Sequence, residues 1–158
     1  MIHGINRKGE DEQATATEPT MVIGPTEVAD VMTAKVVTLS PHNSFSDVAN
    51  LMGDRYFRHC VVVDTRGQIV GVISDRDILR ALARNPNSRT KSLDQIMTQN
   101  PVTVRRNTPI ADAVGKILSK RINCLPVVDE DGSVCGIVTS TDLLKSYQQL
   151  LDMMRKAR

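Results

Sequence analysis

From Val28 onward the chain says nearly the same thing twice, and this limits what it can fold into. VADVMTAKVVTLSPHNSFSDVANLM aligns with LDQIMTQNPVTVRRNTPIADAVGKI at a constant offset of 65 residues. GDRYFRHCVVVDTRGQIVGVISDRDILRAL then continues against LSKRINCLPVVDEDGSVCGIVTSTDLLKSY. Identical pairs include Met32/Met97, Thr38/Thr103, Asp47/Asp112, Asp64/Asp129, Gly67/Gly132, Gly71/Gly136 and Asp77/Asp142. Two copies are too few for a solenoid. They predict a pseudo-twofold pair in which each half covers the other's apolar face.

Each half reads as β-α-β-β-α. Val36 to Leu39 is a short strand, mirrored by Val102 to Val104. Asn43 and Thr108 are the expected N-caps, with Pro109 at the favoured first helical position. Phe45, Val48, Ala49 and Met52 recur at helical spacing, as do Ile110, Ala113, Val114 and Ile117. The apolar runs Cys60 to Val63 and Leu125 to Val128 read as buried strands. DTRG and DEDG are turns, followed by strands at Ile69 to Ile73 and Val134 to Val138. A helix then begins after Ser74 or Thr139. The fold class is α/β (α+β), two tandem β-α-β-β-α repeats related by a pseudo-twofold axis.

The polar, aperiodic residues 1–25 are expected to form a mobile arm, with local order near Met21 to Ile23. The first repeat takes 26–83, a polar connector 84–92 and the second repeat 93–147. Residues 148–158 extend the last helix, where Leu143, Leu144, Tyr147, Leu150, Leu151 and Met154 form an apolar stripe. The stripe either packs on a partner chain or folds back on its own core, and the sequence leaves both open.

Composition removes several classes of function. No apolar run approaches the ~18 to 20 residues of a membrane span. The opening MIHGINRKGEDEQ lacks the apolar core of a secretory signal, so a cytoplasmic protein without membrane contact is expected. A net charge of +2 and an aromatic content of 3% argue against nucleic acid. Cys60, Cys124 and Cys135 make no C-x-x-C pair and read as small buried hydrophobes.

The repeated GVISDRDIL (71–79) and GIVTSTDLL (136–144) carry a hydroxyl and, three residues on, an acid. That spacing suits a helix cap, with Ser74 or Thr139 as N-cap and Asp77 or Asp142 answering it. It also suits a ligand. A helix start attracts anions, an aspartate accepts from vicinal hydroxyls, and Arg58, His59 and Arg76 offer charge-assisted donors. Cap and site are compatible readings.

M-T-x-x-x-V-T, [L/V]-P-V-V-D, D-x-x-G and G-[IV]-[IV]-[ST]-x-x-D together resemble a pair of CBS domains, the Bateman module, over Val28 to about Tyr147. The resemblance implies a disc of two repeats with two clefts, adenosine-type ligands (AMP, ADP, ATP, NAD or S-adenosylmethionine) and dimerisation through helices. It places ribose hydroxyls at Asp77 and Asp142, and phosphates near Ser74, Arg76, Thr139 and Thr141. It places the adenine edge at the backbone of Val37-Thr38 and Val102-Thr103, and a further phosphate contact at Arg58-His59. The second copy has Asn123-Cys124 at that last position, so the first copy is the more cationic at its phosphate end.

Other residues read as scaffold. Met32 and Met97 are core packing, Arg105 and Arg106 a solvated loop face, and His42 a loop residue. His59 reads either as a strand-end histidine or as a phosphate ligand. No catalytic set, phosphate-loop fingerprint or metal-ligand cluster is present, and Asp77 and Asp142 are like sites rather than an acid and a base. The expectation is a regulatory homodimer with a small-molecule adenosine ligand, no catalytic cofactor and an effector protein that responds to it. The alternative is a ligand-free dimerisation or docking module for an enzyme or transporter.

Overall fold

The computed structural model of the chain describes residues 24–55 and 57–157; the expected order at Met21 to Ile23 lies outside them. The first copy supplies β1 (Thr38–Leu39), α1 (Phe45–Arg55), β2 (His59–Val63), β3 (Ile69–Ser74) and α2 (Asp75–Arg84). After it come β4 (Thr98–Gln99), β5 (Val104–Arg105), α3 (Ile110–Lys120), β6 (Cys124–Val128), β7 (Val134–Thr139) and α4 (Ser140–Lys156). In each copy the first strand runs parallel to the second, which pairs antiparallel with the third. The register slips at equivalent places, Val62/Val63 and Val127/Val128. Gly67 (φ 77°) and Gly132 (φ 83°) turn the two D-x-x-G corners in the left-handed region that favours glycine.

Two local expectations need correction. The first strands begin later than Val36 and Val102: Val36 instead packs in the cluster of Val61, Cys124 and Ile137 between the sheets. The N-caps of α1 and α3 also lie one residue later than Asn43 and Thr108. Ser44 and Asp47 cap α1 reciprocally, the Asp47 N–H donating to Ser44 Oγ (3.2 Å) and the Ser44 N–H to Asp47 Oδ2 (2.8 Å). Asn43 instead accepts from the Ser40 N–H (2.7 Å), and Thr108 from the Arg105 N–H (2.9 Å), which leaves Pro109 at the N-cap of α3.

The copies exchange their leading segments. Val28, in a 3₁₀ turn at Val28–Asp30, is fully buried in the second copy's core with Val104, Ala113, Leu125, Val127 and Val138. Leu93, its counterpart, is fully buried in the first copy's core with Phe45, Val48, Val62 and Ile73. Thr33 pairs with Ile137 of β7 through two hydrogen bonds (2.9 and 3.0 Å), and β4 pairs with β3. Met97 lies over Gly71 and Met32 over Gly136, where any side chain would collide with the methionine. The two methionines are core packing, as expected, but each on the other copy's sheet.

The connector is ordered into a 3₁₀ turn at Pro86–Thr90, with Ser88 buried and its Oγ donating to the Ala81 carbonyl (2.9 Å). Along α4 the apolar stripe divides. Leu143 packs on the second core, whereas Leu144, Tyr147, Leu151 and Met154 face outward. Among the described residues no helix is long and apolar enough to cross a membrane.

Candidate functional site

The two helix starts are built alike. At α2 the Ser74 N–H and Oγ both donate to Asp77 Oδ2 (2.8 and 2.7 Å), and the Asp77 N–H donates to Ser74 Oγ (3.3 Å). At α4 the Thr139 N–H and Oγ1 both donate to Asp142 Oδ2 (2.8 Å each), and the Asp142 N–H returns to Thr139 Oγ1 (3.3 Å). Both are capping boxes with aspartate in the acidic place. In each box one carboxylate oxygen is spent on the cap and one remains.

The fate of that second oxygen differs between the copies. Asp77 Oδ1 is held by Arg80 Nη1 at 3.2 Å, one turn along α2. Asp142 Oδ1 has no hydrogen-bond partner among the described residues, and Asp142 lines a cavity of about 850 Å³. Ser74 with Asp75 and Arg76, at the start of α2, line the same cavity as Thr139 with Ser140, Thr141 and Asp142, at the start of α4. Thr33, Lys35, Val36 and Val37 enter on the exchanged lead-in, and Arg58, His59 and Asn123 stand just before or at the starts of β2 and β6.

Of the expected site residues, Val37, Arg58, His59, Ser74, Arg76, Asn123, Thr139, Thr141 and Asp142 therefore meet in one cleft. Asp77 lines a smaller recess of about 260 Å³ with Arg80, Arg84 and Lys91. Thr38 lies in β1 opposite Val61, and Val102 and Thr103 lie outside both cavities. The grouping crosses the copies: the first copy's cations face the second copy's aspartate. Lys35 and Lys145 add to them and were not anticipated. Their signal was in the sequence: Thr33 precedes Lys35 at the repeat position where Thr98 precedes Asn100, and Lys145 mirrors Arg80.

Electrostatics of the cleft are mixed. Lys35, Arg58, Arg76 and Lys145 stand against Asp75 and Asp142. His59 is half-buried, and burial is the main cause that holds its imidazole below the usual value of 6.5; Arg58 and Arg76 act the same way, against Asp75 and Asp77. Burial pushes the Cys60 and Cys124 thiols up to about 12, in keeping with inert core cysteines. Away from the cleft, Arg106 pairs with Asp129 (2.8 Å). Among the described residues no cluster of three or more His, Cys, Asp or Glu side chains could hold a metal ion.

Comparison with known proteins gives this geometry a setting. The family model described as CBS domain matches residues 28–84 and 93–149. A homoserine O-acetyltransferase of Methanohalobium evestigatum is 33% identical over 124 residues, covering 78% of this chain and 24% of that protein. The chain spans about a quarter of the length of the curated relatives it matches first. Among solved structures, a CBS domain pair in complex with 5′-methylthioadenosine and S-adenosyl-L-methionine has a TM-score of 0.72 at 32% identity, covering 77% of this chain and 99% of that one. CBSX2, solved in complex with AMP, has a TM-score of 0.69 at 30% identity, with 80% and 98% covered.

Proposed function

This chain belongs to the CBS domain family, and on that premise we propose that it is a regulatory module binding one adenosine-type ligand in the cleft at Asp142. The observation that carries the reading is the open Asp142 Oδ1. Its sister oxygen is fixed by Thr139, so the carboxylate is oriented before any ligand arrives, and a neighbouring pair of ribose hydroxyls would find a ready acceptor. The corresponding oxygen of Asp77 is already paired with Arg80, which favours one cleft over two.

In this reading the backbone at Val37, the one expected adenine-edge residue that lines the cleft, meets the adenine edge. Thr139, Thr141, Arg58, His59 and Arg76 receive the ligand's tail. Similar proteins are solved with S-adenosylmethionine, 5′-methylthioadenosine and AMP, which share adenosine and differ in the tail. The shared part is what Asp142 would read.

Such a ligand would touch the exchanged lead-in at Thr33 to Val37 and both helix starts together. It would therefore favour one arrangement of the two copies, by no more than its difference in affinity for the two states. Micromolar binding, about −8 kcal/mol, is ample for that. The outward stripe of α4 is the surface through which a homodimer, or an effector protein, would sense the change.

The test is a thermal-shift titration with AMP, ADP, ATP, NAD and S-adenosylmethionine. Stabilisation by at least one is expected, since a ligand at 100 times its Kd adds about 2.7 kcal/mol. No shift with any of them at millimolar concentration would reject the reading in favour of a docking module.

A further inference from the structure

Arg58 and Asp75 form one wall of the cleft, and Asn123 and Ser140 form the equivalent wall. Both walls share a backbone frame: the Asp75 N–H donates to the Arg58 carbonyl (3.1 Å), as the Ser140 N–H does to that of Asn123 (3.0 Å). Their side chains differ in charge. Asp75 Oδ2 lies 3.8 Å from Arg58 Nε, and Asp75 Oδ1 accepts from the Arg76 N–H at 2.9 Å. On the other wall Ser140 Oγ donates to the Asn123 carbonyl (3.2 Å) and side-chain oxygen (3.4 Å). The Thr141 N–H has no partner among the described residues.

Asp75 thus occupies the place at the start of α2 that an incoming anion would take. It spends the second amide of the helix and leans on a cation that the cleft would otherwise offer. The cavity, at about 850 Å³, is large for a small-molecule site, so room does not limit the tail. Charge does.

We propose that Asp75 limits the negative charge that the ligand's tail can carry, so that the cleft prefers an adenosine monophosphate to a triphosphate. This rests on the nucleotide reading of the cleft above. Asp75 acts as a specificity residue through like-charge repulsion and by partly offsetting the exposed charge of Arg58, 3.8 Å away. A longer phosphate chain, reaching further toward α2, meets both effects more strongly than a single phosphate does.

The experiment is calorimetric titration of wild type, Asp75→Ser and Asp75→Asn with AMP and ATP, in buffer free of divalent cations so that the phosphates keep their charge. Serine is what the second copy carries on the same frame, and asparagine keeps an acceptor for the Arg76 N–H, so a folded variant is secured. The wild type is expected to bind AMP at least as tightly as ATP. Both variants are expected to raise the ratio of ATP to AMP affinity roughly tenfold, the scale of one nearby charge at a half-exposed site. A ratio unchanged or lowered in both variants, with AMP still bound, would overturn the proposal and leave the nucleotide reading standing. No binding of either nucleotide by any of the three proteins would overturn the proposal, and the nucleotide reading falls with it only if ADP, NAD and S-adenosylmethionine also give no thermal shift.

Discussion

Val28 and Leu93 occupy equivalent places 65 residues apart, and each is fully buried in the core of the other copy. The two halves are therefore not two small domains side by side. Each lacks part of its own core until the other's lead-in arrives, and the cleft forms where the lead-in of the first copy crosses the sheet of the second.

Leu93→Ala is expected to cost about 2–5 kcal/mol, the range for deleting a buried leucine. Because its core belongs to one copy and its chain to the other, unfolding in urea should stay a single transition at a lower midpoint. A loss below about 1 kcal/mol would show that the exchanged segment does not hold the pair together.

The glycines beneath the methionines differ in what stands behind them. A Cβ at Gly136 would come within 2.7 Å of Met32 Sδ and 3.2 Å of the Thr33 carbonyl oxygen, whereas at Gly71 the three nearest atoms all belong to the flexible Met97 side chain. Gly136→Ala should therefore cost more than Gly71→Ala, about 1–3 kcal/mol by the usual scale of overpacking. It should also weaken ligand binding, because Thr33 lines the cleft. Equal stabilities in denaturant would contradict this.

His59 makes stability depend on pH in a window of its own. Its folded value lies below 6.5, so at higher pH both states are neutral there and this contribution is fully present. As pH falls below about 6.5, the unfolded chain takes up the proton first and stability declines until the folded value is passed. The slope cannot exceed about 1.4 kcal/mol per pH unit for one proton. The capping carboxylates Asp30 and Asp47 have lowered values and act only below their ordinary 3.8, so the windows separate. Denaturant midpoints between pH 7.5 and 5 should fall in the wild type and flatten in His59→Gln. Identical profiles would refute the assignment.

Leu144, Tyr147, Leu151 and Met154 recur at helical spacing on the outer face of α4 and remain exposed. If this face closes a homodimer, Tyr147→Glu with Leu151→Glu should convert a dimer to a monomer in sedimentation velocity without lowering the thermal midpoint of the monomer fold. A wild type that sediments as a monomer at 100 µM, on the order of a weak self-association limit, would assign the face to a different partner.

The repeat makes most of the fold legible in the sequence. The two longer strands of each copy, the D-x-x-G turns and the two later helix caps follow from local pattern, and they lie where the pattern puts them, whereas the short first strands begin later. The α1 cap lies one residue later because Asn43 and Ser44 are adjacent cap residues that only the reciprocal Ser44–Asp47 bonds distinguish, and the α3 cap because Thr108 turns back to the Arg105 N–H. The grouping of the site was not legible. Arg58 and Arg76 sit in the first copy, so sequence order pairs them with Asp77; the packing of the two copies at Val61, Cys124 and Ile137 puts them in one cleft with Asp142. The hint was the identical Met32/Met97 and Gly71/Gly136 pairs, whose large and small partners meet only across the copies. Asp77 and Arg80 stand at the i,i+3 spacing of a helical ion pair, but Asp142 and Lys145 share that spacing, so only the rotamers separate the two copies.

The central claim is that one cleft, organised by Asp142, binds the adenosine part of the ligand. It is tested most directly by isothermal titration of AMP into the wild type, Asp142→Ala and Asp77→Ala. The account predicts one site per chain in the wild type. Asp142→Ala should weaken binding at least tenfold, since a charged acceptor is worth roughly 1.5–3 kcal/mol, while Asp77→Ala keeps both affinity and stoichiometry. Two equal sites in the wild type, or a loss that follows Asp77 rather than Asp142, would contradict it.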